Sequence, residues 1–173
     1  KEFRSAEEVQ EQIKEDLENS LKTEVTVELE NKPRKIEETF TSIDSEDLDK
    51  IDSHPLSLSI EPEEEADVAE ELSTSLFRSL CPVTSQPDWA TIYIRYKGNK
   101  INHKSLLKYL LSYRNHQGFH EECVERIFSD ILQRIRIDEL FVRANFLRRG
   151  GIEINPVRVT PGNFPEIIRE IRQ

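Results

Sequence analysis

Two side chains at the ends of one short loop are the strongest candidates for chemistry in this sequence. Cys81 opens the run CPVTSQPD and Asp88 closes it. A thiol at the edge of a rigid scaffold is accessible, and it becomes a nucleophile when a nearby charge or hydrogen bond favours the thiolate. A carboxyl group facing it across the loop mouth would be kept protonated by burial and like charge, as a general acid requires. A packed thiol and a turn-forming aspartate after Pro87 remain the alternative.

A second candidate group, His120 and Glu121, lies at the predicted start of a helix. A glutamate in a first helical turn favours the helix dipole and needs no ligand. The functional hypothesis is a clamp in which the carboxylate accepts two N–H groups from a purine-like edge and the imidazole holds another polar group. Cys123 follows on the apolar row of the same helix, so we predict that it packs in the core. A weaker hypothesis is a protective disulfide between Cys123 and Cys81 under oxidation.

The third candidate group is the run Arg148-Arg149-Gly150-Gly151. Two guanidinium groups at a glycine turn let the backbone approach a phosphate while the side chains bind its oxygens. A double-glycine hairpin also forms without any ligand. The sequence contains no GxGxxG, Walker or HExxH motif, and its four histidines lack metal-ligand spacing. We therefore predict no metal site.

Regular elements after residue 69 would position these groups. In chain order the patterns predict a helix or strand over 69–80, a strand over 90–97 ended by a turn at 97–99, a helix capped by Asn102 that runs to Tyr113, a helix after Gly118, a strand over 140–146, and a strand containing Ile152 and Ile154. The side chains expected to face the core are Leu106, Leu107, Leu110, Leu111, Cys123, Val124, Ile127, Phe128 and Ile131.

If residues 69–80 form a strand, the order of elements is ββααββ. That order predicts an α+β protein with an antiparallel sheet and two helices on one face. Open edges and one uncovered face would favour association with other copies of the chain.

The first part of the chain has a different pattern. Residues 5–21 predict a helix, with Ser5 and Glu8 as a capping box, and residues 23–29 alternate as a strand does. A helix and a strand without partner strands before them indicate the tail of a domain that began upstream. Residues 31–68 are polar and contain three prolines, which is typical of connecting structure.

Composition narrows the class of protein. No apolar stretch approaches the ~20 residues of a membrane span, and the first residues hold no secretory signal. Two cysteines without a CxxC pair exclude a disulfide scaffold and a cysteine zinc cluster. We expect a cytoplasmic protein of 173 residues that does not enter a membrane.

The net charge of −10 is unevenly distributed. Residues 1–75 carry a net charge of −16 and residues 76–173 a net charge of +6. The acidic run at 61–67 is predicted to be a solvated linker or loop. A basic second part suits an anionic ligand, either a phosphorylated cofactor or nucleic acid, although scattered surface arginines give the same sum.

Three continuous motifs carry a family resemblance: CPVTSQPDW at 81–89, FHEECVERI at 119–127 and RRGGIEINP at 148–156. With them, the chain resembles the NADPH-dependent 7-cyano-7-deazaguanine reductases of queuosine biosynthesis, a tRNA-modification pathway, and the bimodular type most closely. The resemblance implies the tunnelling fold, with 69–173 as the C-terminal catalytic module, 31–68 as linker and 1–30 as the end of a first such module. The Glu-Ser-Lys-Ser type motif of that first module is missing, so we expect a C-terminal piece.

The resemblance also implies a reaction and roles for the residues. A nitrile is reduced to a primary amine by two NADPH through a covalent thioimide. Cys81 would be the nucleophile and Asp88 the proton donor, His120 and Glu121 would bind the deazapurine, and Arg149 with Gly150 would contact NADPH. A homo-oligomer without direct nucleic-acid binding is expected.

Two other functions remain open at this point. One is a related tunnelling-fold protein that binds a purine or pterin without reducing it. The other is a basic nucleic-acid-binding module in which Cys81 is incidental, and such binding would weaken steeply with salt.

Overall fold

A computed structural model describes residues 3–29, 39–48 and 59–161. The chain divides into two compact units, residues 1–35 and 36–173, and all the candidate residues lie in the second. Within the described ranges, every helix is too short or too polar to cross a membrane.

The first unit contains helix α1, Ala6–Leu21. The Ser5 hydroxyl oxygen accepts the N–H of Glu8 at 3.2 Å, which confirms the predicted cap, while the Glu8 carboxylate accepts the N–H of Arg4 at 2.8 Å. The strand predicted over 23–29 is wrong, because residues 24–29 form no strand. Alternation of apolar residues supplies no partner strand, and within the described residues no strand pairs with this segment.

The second unit is built on a five-stranded sheet whose spatial order equals its chain order. The strands are β1 (Thr41–Ser42), β2 (Pro62–Leu80), β3 (Pro87–Ile101), β4 (Ile137–Phe146) and β5 (Val157–Val159). β1 pairs with β2 in parallel and all other pairs are antiparallel. Helices α2 (His103–Leu111) and α3 (His120–Arg134) lie between β3 and β4 in the chain. The predicted α+β class and the ββααββ order are confirmed, but the sheet is mixed rather than wholly antiparallel, because the short β1 pairs in parallel in front of this order.

Both helices pack on one face of this sheet, as predicted. Every helix residue expected to face the core is buried, and these residues form one cluster with alternate residues of three strands: Leu72, Phe77, Ile92, Ile94, Tyr96, Leu140, Val142, Ala144 and Phe146. Burial of each large apolar side chain contributes about 1.5–3 kcal/mol. The cap is also confirmed, since the Asn102 side chain accepts the N–H of Ser105 at 2.8 Å. α2 ends at Leu111, and a 3-10 turn then covers the remainder of the predicted helix.

The opposite face of the sheet is not uncovered, contrary to the prediction. Tyr93, Phe141, Arg143 and Asn145 on that face are all buried. The ring of Phe40 packs edge-on against Tyr93 at 5.0 Å between centroids, and the Arg143 guanidinium lies 4.4 Å from the centre of the Tyr93 ring. The expected association with other copies stays a prediction.

The acidic run at 61–67 is part of a strand rather than a linker or loop. β2 begins at Pro62, and two basic side chains offset its charge: Lys100 lies 3.2 Å from Glu63, and Arg136 lies 3.1 Å from Asp67. Exposed pairs of this kind contribute little singly, but they reduce the repulsion on which the linker prediction rested. The module boundary predicted at residue 69 stays a prediction.

The turn predicted at 97–99 is also wrong, because β3 continues through Gly98 to Ile101. The pairing of β3 with β4 shifts register between Lys97 and Gly98, and the N–H of Asn99 donates to the Arg136 carbonyl at 2.9 Å. Gly98 has φ +150, a conformation that side chains disfavour. This glycine therefore marks an irregularity inside a strand, and not the end of one.

The last strand lies further along the chain than predicted. Ile152 makes only an isolated bridge with Arg149, Ile154 is in no strand, and β5 spans Val157–Val159. The N–H of Phe146 donates to the Asn155 side-chain oxygen at 3.2 Å, where a continued ladder would offer a backbone carbonyl. The side chain thus interrupts the pairing of the two segments.

Candidate active site

The loop between β2 and β3 is a closed turn with Cys81 at its first position. The N–H of Ser85 donates to the Cys81 carbonyl at 2.8 Å, and the N–H of Cys81 donates to the Gln86 carbonyl at 2.9 Å. Ser85 adopts φ +56, which tightens the turn. These bonds fix the backbone of Cys81 and leave its half-buried thiol at the edge of the sheet.

A short bridge between the end of β2 and residues 116–118 brings the start of α3 to the same place. The N–H of Leu80 donates to the His116 carbonyl at 2.9 Å, and the N–H of Gly118 donates to the Leu80 carbonyl at 3.2 Å. The Gln117 side-chain amide donates to the Ser85 hydroxyl at 2.9 Å. His120, two residues after Gly118, is therefore held beside the Cys81 loop.

Asp88 is the centre of the polar contacts at this site. It is 6% exposed, in the second position of β3. Its Oδ1 accepts the Nε–H of Arg149 at 2.9 Å and lies 2.5 Å from Nη2 of the same guanidinium. Its Oδ2 lies 3.4 Å from His120 Nε2. The His120 ring stacks on Phe146 at 3.7 Å with 4° between planes, which fixes the imidazole over the end of β4.

The surroundings of Cys81 favour its thiolate. Hydrogen bonds from the Thr84 hydroxyl, and then from the backbone N–H groups of Thr84 and Val83, lower the pKa of the Cys81 thiol below its ordinary value, against the opposing effect of burial. The positive charge of Arg149 lowers this pKa further, as the smallest of these effects. Arg149 Nη1 also lies 3.4 Å from the Thr84 hydroxyl oxygen, so one guanidinium contacts both sides of the site.

The thiol of the second cysteine, Cys123, is in a surrounding that disfavours the reactive thiolate. Cys123 is fully buried, and burial raises the pKa of its thiol to about 11. The prediction that it belongs to the core is confirmed. Both cysteines are free thiols, and the oxidised pairing of Cys81 with Cys123 stays a prediction.

Two of the predicted site residues border this cluster. Glu121 is exposed on the first turn of α3, next to His120. Gly150 follows Arg149 in an exposed turn with φ +59, where the N–H of Ile152 donates to the Arg149 carbonyl at 3.1 Å. Asp88 thus contacts both His120 and Arg149. Arg149 also contacts Thr84 in the loop that carries Cys81. Glu121 and Gly150 are exposed beside this cluster.

The sequence motifs did not identify two residues that act at this site, Thr84 and Phe146. Thr84 acts on the thiol from within the loop, and its position three residues after Cys81 in a proline-bounded turn was an available signal. Phe146 was recognised only as an alternating strand residue, and nothing in the spacing shows that His120 stacks on it.

Thr84→Val is expected to slow alkylation of Cys81 below the pKa of its thiol. Loss of the hydroxyl raises that pKa, so the thiolate fraction falls about three- to tenfold, and the rates of the two proteins converge once pH exceeds both pKa values. The measurement is the rate of iodoacetamide addition against pH, followed by intact mass. Thr84→Ser, which keeps the hydroxyl, should behave as the parent chain, and an unshifted midpoint in Thr84→Val would contradict the assignment.

Comparison with known proteins shows what this chain is similar to. The family model described as "QueF-like protein" matches residues 87–162. A curated NADPH-dependent 7-cyano-7-deazaguanine reductase from Buchnera aphidicola is 51% identical over 134 residues, which cover 76% of this chain and 50% of that protein. The reductase of the same name from Desulfotalea psychrophila is 42% identical over 180 residues, covering 99% of this chain and 64% of the relative.

The chain is a relative of these reductases. The resemblance predicted from the three motifs is confirmed, and the chain spans about half to two thirds of the length of the curated reductases it matches. A crystal structure of the archaeosine synthase QueF-Like in its apo form aligns with 58% of this chain and 99% of its own, at 18% identity and a TM-score of 0.49.

Proposed function

We propose that this chain carries the catalytic site for NADPH-dependent reduction of 7-cyano-7-deazaguanine to its aminomethyl derivative, a step of queuosine biosynthesis. The observation that carries the proposal is the activated thiol of Cys81 beside the Asp88, His120 and Arg149 cluster. The names of the relatives supply the substrate and the cofactor.

The chemistry begins with covalent capture at Cys81. Its thiolate adds to the nitrile carbon, so a carbon–sulfur bond forms and one π bond of the nitrile breaks. The nitrogen takes a proton that Asp88 and His120 hold between Oδ2 and Nε2, and the product is a thioimide. A protonated thioimide is a better hydride acceptor than a nitrile, which is why capture by sulfur lowers the barrier.

NADPH would supply two hydride ions to the former nitrile carbon, and the nitrogen takes one further proton with the first of them. The carbon–sulfur bond would then break, so the pair of electrons returns to sulfur and a protonated imine remains to accept the second hydride. The residues of this chain supply the sulfur, hold protons at Asp88 and His120, and orient the base.

The start of α3 is suited to recognise the deazapurine. Nδ1 of His120 is buried and has no hydrogen-bond partner within the described part of the chain. A bound base would satisfy this atom, since buried polar atoms without partners are costly. The exposed carboxylate of Glu121, one residue on, is able to accept two N–H groups from a guanine-like edge.

The exposed turn that carries Arg149 and Gly150 has a positive charge that complements the phosphate groups of NADPH. Arg149 stands next to two glycines whose Cβ positions face open space, so a phosphate can approach the backbone. Arg149 already contacts the carboxylate of Asp88. A cofactor phosphate would compete with that carboxylate.

We place the reaction in the cytoplasm, on the free base rather than on tRNA, and in a homo-oligomer. Support for an oligomer comes from large apolar side chains left exposed near the site, among them Trp89, Phe119 and Ile152. A second copy covering them would shield the thioimide from water.

The test is covalent capture without cofactor. The full chain, reduced and incubated with 7-cyano-7-deazaguanine, should gain the mass of one nitrile molecule, and peptide mapping should place it on Cys81. The aminomethyl product, which lacks an electrophilic carbon, is the matched control and should add no mass. Binding of the nitrile without a mass gain would overturn the proposal and favour a purine- or pterin-binding protein that performs no reduction.

A further inference from the structure

One guanidinium contacts both halves of the candidate site. Arg149 donates to Oδ1 of Asp88 through Nε at 2.9 Å, and its Nη1 lies 3.4 Å from the hydroxyl oxygen of Thr84. A hydrogen bond with Thr84 is also the largest effect that lowers the pKa of the Cys81 thiol. The nucleophile and the proton donor, which lie at opposite ends of the loop, are therefore connected through a side chain from a distant turn.

These contacts decide which oxygen of Asp88 is free to carry a proton. Oδ1 accepts the Nε–H of Arg149 at 2.9 Å and lies 2.5 Å from Nη2, so the guanidinium occupies this oxygen. Oδ2 faces His120 Nε2 at 3.4 Å. Only Oδ2 and the imidazole remain available for proton transfer, and the guanidinium holds the carboxyl group in that orientation.

We propose that Arg149 is a positioning residue for the chemistry at Cys81 and Asp88, and acts before any cofactor binds. This inference rests on the proposed function and assigns Arg149 a role in the thiol-addition step, in which NADPH takes no part. Arg149 fixes the carboxyl group with Oδ2 toward His120, and through Thr84 it holds the loop that carries the thiolate. Misplacement of a catalytic group by about an ångström is sufficient to slow a reaction severely.

Arg148 offers a matched control because it is adjacent, has the same charge and belongs to the same turn. Its guanidinium lies 3.9 Å from Glu153, and no contact with Asp88 or Thr84 is present in the described residues. An effect of net charge or of phosphate attraction would be shared by both arginines. An effect of positioning would belong to Arg149 alone.

The experiment compares Arg149→Gln, Arg149→Lys and Arg148→Gln in two assays without NADPH. The first is the pH profile of iodoacetamide addition to Cys81, which needs no substrate. We expect Arg149→Gln to react about two- to threefold more slowly below the pKa of the thiol, because an attractive charge near the thiolate is lost. Arg148→Gln should match the parent chain.

The second assay is the rate of nitrile addition to Cys81 in the same proteins. Arg149→Gln should be slower by about tenfold or more, with a changed pH profile, and Arg149→Lys should recover part of the rate because an ammonium replaces only one of the contacts. Arg148→Gln should again match the parent. Thermal unfolding of each variant verifies the fold, and Arg149→Lys is decisive if Arg149→Gln does not fold.

Unchanged alkylation and addition in Arg149→Gln would overturn the inference and leave Arg149 a cofactor contact only. Equal losses in the Arg148 and Arg149 variants would overturn it in favour of a general charge effect. If the parent chain adds no nitrile, the proposed function fails. A selective change of the alkylation profile in Arg149→Gln would then still establish the connection to the thiol.

Discussion

Replacing Cys81 with alanine is expected to abolish covalent capture of 7-cyano-7-deazaguanine, with a loss of at least about a thousandfold in any residual reduction. The variant has no atom able to form the carbon–sulfur bond, and a nitrile accepts hydride poorly without it. The loop itself should persist, because its two closing hydrogen bonds use the backbone of Cys81 and not the thiol. Intact mass after incubation with the nitrile is the measurement.

Cys123→Ala is the matched control for this result. It removes the other thiol, which is buried and whose pKa is raised to about 11, so capture should continue at the parent rate. The cost should fall instead on stability, at about 1–2 kcal/mol for a small buried side chain. Retained capture in Cys81→Ala, or lost capture in a folded Cys123→Ala, would contradict the assignment of the nucleophile.

Replacing Gly98 with alanine is expected to lower the free energy of unfolding by about 3 kcal/mol or more. A Cβ atom at this position would lie 2.5 Å from the Arg136 carbonyl oxygen and 2.8 Å from the Cα of Ile137. Both are backbone atoms in the segment that enters β4, so neither moves without disturbing the pairing of β3 with β4. The φ of +150 adds strain for any residue with a side chain.

Gly151→Ala separates steric conflict from backbone strain. Gly151 has φ +86, yet nothing lies within 4 Å of its Cβ position. Only the backbone penalty applies there, at about 1–2 kcal/mol. Urea denaturation of both variants and the parent gives the comparison. A loss in Gly98→Ala no larger than that in Gly151→Ala would show that β4 yields to the added methyl group.

Local patterns correctly predicted the helices and strands that present one apolar face to the core. The apolar rows of α2 and α3 and the alternation of β3 and β4 were sufficient to place those elements and most of their buried residues. The patterns failed where a partner distant in sequence decides the outcome. Gly98 has the composition of a turn, and only the approach of Arg136 makes it a bulge inside a strand.

The candidate site, too, could be predicted from the sequence only in part. Motif spacing drew attention to Cys81, Asp88, His120 and Arg149, but their contacts are not properties of any single motif. The hydrogen bond between Arg149 and Asp88 joins residues 61 positions apart. No spacing reveals that pairing, and the roles of these residues in catalysis remain predictions that the proposed experiments test.

The connection between β2 and β3 limits how this protein can be engineered. Exposed links between neighbouring strands normally accept inserted peptides and new chain termini. Here the link covers only residues 81–86, and it both carries the sulfur and supplies the groups that hold it. Any tag, permutation or loop graft at this hairpin end would displace the nucleophile, so fusions belong elsewhere on the surface.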